Sequence, residues 1–561
     1  MPVLRTIALF LLLLLTACTQ KQHADLIIYN GPIYSSNARH EIFEAMAITG
    51  NRIVAVGGPE LLDAYAADAL IDLKGRLALP GFNDAHTHMR GRPERWIALS
   101  KARSISEMQD LLRRKAHDLS PGVWITGQGW SEDRLAEKRK PTRTDLDLAA
   151  PDNPVFLTRE GGHSAVANSR ALESAGLSKT SPDPENGQLE RDPDGRLTGI
   201  IRERRDLVTR VIPPPPLDEV RDDLVRRLHD QLRLGITSFT DASTSIEDYQ
   251  NIWQRIYQNR TNDPLPRATV QINSGFGANM SAQQALVRLA AFGLKTGDGD
   301  DRLKVGALKV FVDGGFTGPA AWTRAPYRND PNYYGSLAVS LDDLKILSLG
   351  AHEAGWQLGF HAIGDAAIEE TVAIFDDVLH RSPRRDHRHY VNHFTVLPSK
   401  ATMTLMARDG IGIVQQPNFT YSLEDRYRAY LPDEKLQHNN AVATPLGYGI
   451  KMAFSSDVIP IGPLVGIYAA VTRRGASGVV YGADERIGIA EALRLYTNGG
   501  AYRTFDENIK GQIKPGLLAD IIVLDTNLLE AAPERILKTQ VDYTILGGTI
   551  VYRRLNNPPA E

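Results

Sequence analysis

A His-x-His pair directly after an apolar run is the first feature of this sequence that could do chemistry. The run at residues 77–79 breaks at Pro80-Gly81 and resumes to reach His86 and His88. Side chains alternate between the two faces of a strand, so these two imidazoles point the same way. Two neutral imidazoles side by side form half of a transition-metal site. Two polar residues at a strand end are the alternative interpretation of this pair taken alone.

More side chains of metal-ligand type follow the ends of predicted strands farther along the chain. They are Lys309, His361, His393 and Asp457. With the His-x-His pair they could surround two divalent ions at the C-terminal face of a barrel, where barrel active sites lie. An ammonium beside two dications is strongly repelled, so Lys309 must be neutral there or carry CO2 as an anionic carbamate. The alternative is a barrel-interior lysine paired with Asp313.

Predicted strands alternate with predicted helices through the middle of the chain, which indicates an α/β fold, specifically a (β/α)8 TIM barrel over 80–500. The predicted strands lie at 235–240, 303–312, 356–361, 390–394, 411–415 and 451–455, with helices at 217–234 and 366–379. Residues 91–212 interrupt this alternation and end at the proline run 213–216, a stiff extended spacer. We therefore expect an inserted lobe over the barrel mouth.

Short predicted strands separated by turns occupy both ends of the chain. The segments 24–79 and 501–556 each hold too few strands for a stable sheet alone. Together they predict a small β-sandwich domain that is split by a large insertion, so that the two ends of the chain meet.

Length and composition narrow the function classes. A chain of 561 residues is too long for one core and predicts two or three domains. The net charge of −3 gives no reason to expect a nucleic-acid partner or a polybasic membrane surface. The single cysteine, Cys18, excludes an internal disulfide and a zinc finger. We expect a small-molecule substrate, and the sequence leaves open whether the protein forms a homodimer.

Residues 1–20 have the pattern of a targeting segment. Arg5 precedes an apolar core at 7–15 that is too short to span a bilayer. The Leu-Thr-Ala-Cys at 15–18 resembles a bacterial lipobox, which predicts a lipoprotein signal peptide and lipidation of Cys18. Thr19 stands where inner-membrane lipoproteins usually carry Asp, so we expect a membrane anchor on the periplasmic side of the outer membrane, with membrane contact through the lipid only. A simple signal peptide with an incidental cysteine is the alternative.

Several motifs stand in one order along nearly the whole chain after residue 24. They are Pro-Gly-Phe-x-Asp-x-His-x-His (80–88), Gly-x-Gly-Trp (127–130), Gly-His-Ser-x-x-x-Asn-Ser-x-Ala-Leu (162–172), Asp-Gly-x-x-Thr-Gly (194–199), Lys-x-x-x-Asp-Gly (309–314), His-Ala-x-Gly-Asp (361–365), Gln-Pro (416–417), Ser-Asp (456–457) and Gly-x-x-Ala-Asp (516–520). In this combination the sequence resembles the amidohydrolase superfamily, and within it amidohydrolase family 3, the branch that includes N-substituted formamide deformylase. One departure is Asn392, because relatives often have Glu before the sixth-strand histidine.

The resemblance implies a metal site for one or two divalent ions, which we expect to be zinc, with carboxylation of Lys309 left open. Its ligands are then His86, His88, Lys309, His361, His393 and Asp457. An ion would lower the pKa of its bound water towards ~7. We expect Asp457 to act first as general base and then as general acid. His163 is the second candidate catalytic residue, for polarising the substrate carbonyl; capping of a helix around 165–175 is the alternative.

The expected reaction is hydrolysis of a carbon–nitrogen bond in a formamide, an amide or a cyclic amide. Hydrolysis of a lactone or an ester, or deamination, would use the same site, and a non-catalytic binding lipoprotein is the alternative from another class. We assign substrate binding to Trp130, Asp313 and Gln416, and we treat 314–334 as a candidate substrate loop. The second His-x-His, His387-Arg388-His389, is at the start of a predicted strand and predicts a solvated loop.

Overall fold

The computed structural model describes residues 21–160, 162, 164–184, 187–277 and 280–555. The predicted targeting segment 1–20 with Cys18 and the candidate catalytic residue His163 lie outside the described residues. In the part of the chain that is described, no helix is both long enough and apolar enough to span a membrane.

Strands and helices alternate along most of the chain. The strands are β1 (Gln22–Tyr34), β2 (Ile42–Thr49), β3 (Arg52–Gly57), β4 (Tyr65–Asp72), β5 (Leu77–Pro80), β6 (Phe82–Thr87), β7 (Trp96–Ala98), β8 (Ile125–Trp130), β9 (Val155–Arg159), β10 (Ser164–Ala167), β11 (Gln188–Arg191), β12 (Leu197–Arg202), β13 (Ile236–Ser245), β14 (Arg267–Asn273), β15 (Leu303–Lys309), β16 (Gly359–Ala362), β17 (Tyr390–His393), β18 (Gly412–Gln415), β19 (Met452–Phe454), β20 (Ile521–Leu524), β21 (Val541–Leu546) and β22 (Thr549–Arg553). The helices are α1 (Leu61–Ala64), α2 (Ile105–Asp118), α3 (Arg143–Asp147), α4 (Ser169–Ser174), α5 (Asp206–Thr209), α6 (Leu217–Arg233), α7 (Ile246–Asp248), α8 (Gln254–Asn259), α9 (Ala282–Phe292), α10 (Leu341–Glu353), α11 (Asp365–Arg381), α12 (Lys400–Asp409), α13 (Asn418–Ser422), α14 (Glu424–Tyr430), α15 (Asp433–Gln437), α16 (Ala443–Gly447), α17 (Pro463–Thr472), α18 (Ile489–Leu495) and α19 (Asn498–Arg503).

Two four-stranded parallel sheets form the centre of the molecule. Their strand orders are β15-β14-β13-β6 and β16-β17-β18-β19. The edge strands β15 and β16 meet at two parallel bridges, Leu308–Leu358 and Phe311–His361. At the other edges the Asp457 N–H, just past β19, donates to the His86 carbonyl at 2.8 Å. The predicted α/β class is confirmed, and the strand ends that carry the predicted ligands come to one side.

Helix α6 shows how the sequence builds the layer around these sheets. It begins after Pro216, with Asp218 and Glu219 in its first turn, where the helix dipole favours acidic side chains. It ends before Gly235, whose φ of 75° is a left-handed conformation that glycine adopts without strain. Its apolar stripe joins the main hydrophobic core through Val220, Leu224, Val225 and Leu228.

Both ends of the chain contribute to one eight-stranded sheet. Its order is β22-β21-β20-β5-β1-β2-β3, with β4 paired to β1. The antiparallel pairing of β5 with β20, in which Leu79 faces Ile522, joins the two ends. The hydrogen-bonded strands form a continuous sheet, and the two-layered sandwich stays a prediction.

A six-stranded sheet stands between β6 and α6 in the chain, inside the segment expected to form the inserted lobe. Its order is β11-β12-β10-β9-β8-β7, from Trp96 to Arg202. It has a hydrophobic core of its own, in which α2 packs against the strands through Ile105, Met108 and Leu112. The segment is therefore a sheet with a hydrophobic core separate from that of the central strands.

The second His-x-His does not lie in a solvated loop, so that expectation is wrong. His387 and His389 are buried at the start of β17, where His389 Nδ1 accepts a hydrogen bond from the Leu358 N–H at 3.0 Å. His389 Nε2 lies 2.8 Å from His352 Nδ1, and His352 Nε2 lies 2.8 Å from the Ser382 carbonyl. The three imidazoles are packed because each ring nitrogen finds a partner inside the protein.

Candidate metal centre

The four predicted histidine ligands form one cluster at the ends of the central strands. The ring centroid of His86 lies 5.2 Å from that of His88 and 4.7 Å from that of His393. The ring of His393 is also 4.4 Å from the ring of His361. Residues from β6, β16 and β17 thus converge because the parallel strands end on the same side.

Asp457 completes this cluster opposite the His-x-His pair. Its Oδ1 lies 3.8 Å from His88 Nε2, and one ligand atom each from His86, His88 and Asp457 lie within 4.8 Å of one another. The residue has a φ of 57°, which is uncommon for a residue with a side chain, and its N–H donates to the His86 carbonyl. The turn after β19 is therefore tied to the first histidine strand.

The ligand residues lie at two depths. His86, Lys309 and His393 are buried. His88, His361 and Asp457 keep 25%, 11% and 13% of their side chains exposed. Of the six residues, these three are therefore the ones whose side chains solvent reaches most.

Two side-chain amides set the tautomers of the buried histidines. Asn392 Oδ1 lies 2.7 Å from His86 Nδ1, and its amide nitrogen donates to the Gly359 carbonyl, which fixes the amide's orientation. Gln416 Oε1 lies 2.7 Å from His393 Nδ1, and its amide nitrogen donates to Ser455 Oγ. Both histidines therefore carry their proton on Nδ1 and leave Nε2 free as a lone pair.

Burial holds these imidazoles in the neutral form that binds metals. It lowers the pKa of His88 and that of His361 to about 3, with the Lys309 charge acting in the same direction. The pKa of His86 and that of His393 lie well below the usual range, chiefly because both side chains are buried. Protons do not compete with an ion for these nitrogens near neutral pH.

Lys309 ends β15 inside the cluster. Among the described residues its Nζ has no hydrogen-bond partner, and it lies 4.8 Å from the centroid of the Phe311 ring. Burial lowers the pKa of Lys309 to about 7, against the opposing charges of Asp457 and Asp241. Its pairing with Asp313 is not found. Lys309 Nζ and His86 Nε2, both buried and without a hydrogen-bond partner among the described residues, are atoms that a divalent ion would satisfy.

Asp313 and Gln416, two of the predicted substrate-binding residues, have partners within the protein. The Asp313 carboxylate accepts hydrogen bonds from the N–H groups of Trp322, Ile363 and Gly364, and its Oδ1 lies 3.6 Å from His361 Nε2. It ties the start of the segment 314–334 to the turn after His361. Gln416 bonds to His393, as described above.

Trp130, the third predicted substrate-binding residue, is packed in the hydrophobic core of the inserted lobe. Its indole N–H donates to the Leu157 carbonyl at 2.9 Å, so the ring is held within that sheet. The structure does not bring the Trp130 side chain to the histidine cluster. The Gly-x-Gly-Trp motif is explained by packing, because a buried Trp needs a partner for its N–H.

Two buried carboxylates next to the ligands were not found from the sequence. Asp84 Oδ1 accepts from the N–H groups of His86 and Ser456, at 3.3 and 2.9 Å. Asp241, on β13, accepts from the N–H of Met89, directly after His88, at 2.7 Å. Asp84 is the Asp of the Pro-Gly-Phe-x-Asp-x-His-x-His motif, and this position two residues before His86 was a usable signal. Asp241 has no motif of its own.

Comparison with known proteins finds similar proteins along nearly the whole chain. The model of the amidohydrolase family matches residues 69–552. The chain is 28% identical to a Bacillus subtilis protein named amidohydrolase YtcJ, over 94% of this chain and 99% of the relative. It is 27% identical to N-substituted formamide deformylase of Arthrobacter pascens, over 95% of this chain and 99% of that enzyme. An uncharacterised metal-dependent hydrolase of Pyrococcus horikoshii has a similar fold, with a TM-score of 0.72, 24% identity, and coverage of 91% of this chain and 99% of that one.

Proposed function

The chain belongs to the amidohydrolase family, and from this we propose that it hydrolyses a non-peptide carbon–nitrogen bond of a small molecule with the help of a divalent metal. The bond is that of an amide, a formamide or a cyclic amide. The observation that carries the proposal is the convergence of four neutral imidazoles, a lysine and an aspartate around the buried, unpartnered His86 Nε2 and Lys309 Nζ.

The fold proposed for this activity is a (β/α)8 barrel. The two four-stranded sheets supply its eight strands, the bridges between β15 and β16 join them on one side, and the hydrogen bond from Asp457 to His86 joins them on the other. The sheet from the two chain ends is the small β-sandwich, and the lobe with strands β7–β12 is the insertion over the mouth.

Zinc is the proposed metal, as one or two ions, because imidazole-rich sets with a carboxylate suit it. When bound, it would supply a water of lowered pKa and a Lewis acid for the substrate carbonyl. His86, His88, His361, His393, Lys309 and Asp457 would hold it. Lys309 takes part as a neutral amine or as a carbamate, and burial favours the uncharged amine that reacts with CO2.

Asp457 moves the proton in the proposed reaction. Its carboxylate is partly exposed beside His88, so that it reaches both the ligands and an entering molecule. It takes a proton from water as the water oxygen bonds to the carbonyl carbon, and it gives that proton to the nitrogen as the carbon–nitrogen bond breaks. The products are a carboxylic acid and an amine.

The remaining protein groups hold this arrangement in place. Asn392 and Gln416 orient His86 and His393, while Asp84 clamps the first histidine strand to the Ser456-Asp457 turn. His163 is proposed to polarise the carbonyl from the inserted lobe.

A lipid anchor at Cys18 would place the folded part of the protein at the periplasmic side of the outer membrane, with the bilayer contacted by acyl chains alone.

The test combines metal analysis with one substitution. Protein purified without chelator is analysed for metals and assayed on formamides, N-acyl amines, cyclic amides, lactones and aminopurines, before and after removal and return of zinc. Asp457→Asn keeps the shape of the side chain but cannot take the proton, so turnover falls by roughly 10²-fold or more. Asp342→Asn, at an exposed aspartate on α10, is the matched control.

Each outcome decides between stated alternatives. Full activity without metal, or an Asp457→Asn variant as fast as the unmodified protein, would overturn the mechanism. Cleavage of lactones or aminopurines alone would move the reaction to the ester or the deaminase alternative. Binding of panel members without cleavage of any would support a binding lipoprotein.

A further inference from the structure

The Phe311 side chain lies at the mouth of the metal centre and is partly open to solvent. It comes two residues after Lys309, and the intervening Val310 is buried in the main hydrophobic core. Because side chains alternate along an extended chain, Phe311 is on the same side as Lys309 and one layer further out. Its backbone bridges to His361, and its ring centroid lies 5.2 Å from the His361 ring.

A second exposed apolar side chain lies next to the opposite ligand. Val458 directly follows Asp457, whose carboxylate is 3.8 Å from His88. Phe311 is 37% exposed and Val458 is 47% exposed. The ligands that keep some exposure, His361 on one side and His88 with Asp457 on the other, are thus each accompanied by an exposed hydrophobic residue.

Single exposed hydrophobic residues are common on protein surfaces and by themselves need no explanation. These two differ because each is within two residues of a ligand and because Phe311 touches two of the ligand side chains, Lys309 and His361. A small molecule that reaches His361 comes beside the Phe311 ring, and one that reaches Asp457 comes close to the next residue in the chain, the exposed Val458. The area that such a molecule covers on them is apolar, and its burial favours binding.

We infer that the substrate carries an uncharged apolar group, aromatic or branched, next to the bond that is cut, and that Phe311 and Val458 bind this group. The inference rests on the proposed function and names its substrate class. A carboxylate at the same position would lose its hydration without gaining a hydrogen-bond partner from either side chain. Arg90, exposed two residues after His88, is the group that would attract a carboxylate instead.

The experiment compares matched amides with the zinc-loaded protein. One series carries a cyclohexylmethyl, a methyl or a carboxymethyl group on nitrogen, and a second series carries the same groups on the carbonyl carbon. The measured quantity is the ratio of kcat/KM for cyclohexylmethyl to that for methyl, in the unmodified protein, Phe311→Ala and Val458→Ala. Val287→Ala is the control, because Val287 is 70% exposed on the outer helix α9.

We expect the unmodified protein to prefer the cyclohexylmethyl amide in one of the series. Phe311→Ala should lower the ratio about tenfold through loss of buried apolar area, and Val458→Ala should lower it by a smaller factor. Because the ratio compares two amides in the same protein, it is insensitive to a general loss of activity, and Val287→Ala should leave it unchanged. A ratio that Phe311→Ala does not alter, or a preference for the carboxymethyl amide, would overturn the inference.

Hydroxamic acids with the same three groups separate this inference from the proposed function. They share a metal-binding head, and calorimetry measures their affinity without any turnover. Suppose that no amide is cleaved, but that the cyclohexylmethyl hydroxamate binds more tightly than the methyl hydroxamate and loses this advantage in Phe311→Ala. The inferred substrate class is then supported, and the proposed reaction is wrong. If amides are cleaved with equal rates across each series, the reaction stands and the substrate class falls. Cleavage of no amide together with binding of none of the hydroxamates would overturn both.

Discussion

The amide oxygen of Asn392 lies 2.7 Å from Nδ1 of His86, a residue on another strand, and this contact determines which nitrogen of His86 is free for a metal. Asn392 is the position at which the sequence departs from relatives that often have Glu. Its support goes to His86, whereas the neighbouring His393 is supported by Gln416. The departure therefore leaves both histidines with a hydrogen-bond acceptor, and the acceptor on His86 is uncharged.

The first prediction follows from this contact. Asn392→Leu removes the acceptor and frees the His86 ring, so zinc affinity should fall by roughly 10–100-fold, as for other partners of metal-bound histidines. Asn392→Asp keeps an acceptor and should lose much less. Competition with a chromogenic chelator measures the affinity, and Asn332→Leu at an exposed asparagine is the control. Equal affinity in Asn392→Leu and the unmodified protein would show that the contact does not position His86.

The second prediction concerns the chemical state of Lys309. Its Nζ is buried and without a partner among the described residues, and its pKa is lowered to about 7, so uncharged amine is present to take up CO2. If it is a carbamate, the intact mass under non-acidic conditions is heavier by one CO2, and acetate or formate restores activity to Lys309→Ala. Absence of both effects would identify Lys309 as a neutral amine or exclude it as a ligand. Lys345→Ala, at an exposed lysine, controls for the substitution.

The third prediction concerns pH and the buried chain His389–His352. Burial holds the pKa of His389 well below its usual range, so the folded protein keeps it neutral while the unfolded chain binds a proton below about pH 6.5. The unfolded state then carries the extra proton, and stability is full above that pH and falls as the pH decreases towards the folded-state pKa. The contribution of His389 is about 1.4 kcal/mol per pH unit.

His389→Gln should flatten the pH dependence of the free energy of unfolding in that acidic window. Denaturant unfolding at a series of pH values measures it, with metal-free protein so that loss of an ion does not contribute. His117→Gln, at an exposed histidine on α2, is the control and should leave the slope unchanged. A slope that His389→Gln does not change would mean that other groups account for the acid sensitivity.

The fourth prediction concerns Asp313. Its carboxylate accepts three backbone N–H groups, and an amide in its place would turn a donor towards at least one of them. Asp313→Asn should cost about 1–3 kcal/mol of stability. Because the bonds tie the segment 314–334 to the turn after His361, limited proteolysis should become faster within that segment in particular. Cleavage that is no faster than in Asp342→Asn would exclude this anchoring role.

The fifth prediction concerns the expected anchor. Cys18→Ser removes the only sulfur that a lipobox can modify, so the protein should move from the membrane fraction to a soluble or unprocessed form. Fractionation and mass analysis of the N-terminus check this. A wild-type protein that is already soluble and begins elsewhere than at Cys18 would contradict the lipobox interpretation.

The clustering of the candidate ligands could be predicted from the sequence because they lie at or near the ends of apolar strands, and strand ends in parallel folds meet on one side. His86, His361 and Asp457 are examples that needed no long-range information. The partners of these ligands could not be found in the same way. Asn392 and His86 meet only through the arrangement of strands in space, and nothing near either residue in the chain indicates it.

The burial of certain polar residues also could not be predicted from the sequence. His389 stands among charged residues, which favours a solvated loop, yet hydrogen bonds to Leu358 and His352 allow it to be buried. Strand β14 was missed because Arg267, Thr269 and Gln271 interrupt its apolar pattern. These side chains are buried with partners of their own: Arg267 bonds to Asp520 and Gln271 to Tyr390. Polar residues that are satisfied inside a protein look like surface residues in a sequence.

The pairing of β5 with β20 joins two strands that are made at very different times during synthesis of the chain. Strand β5 leads directly into β6, which carries His86 and His88, and the Gly81 N–H between them donates to the Asp520 carbonyl. The candidate ligands His86 and His88 thus leave the ribosome long before the strand β20 that pairs with β5. A nascent chain holds these histidines without that support until residues 521–524 have emerged. The sheet beside the first two histidines therefore closes only after β20 has been made.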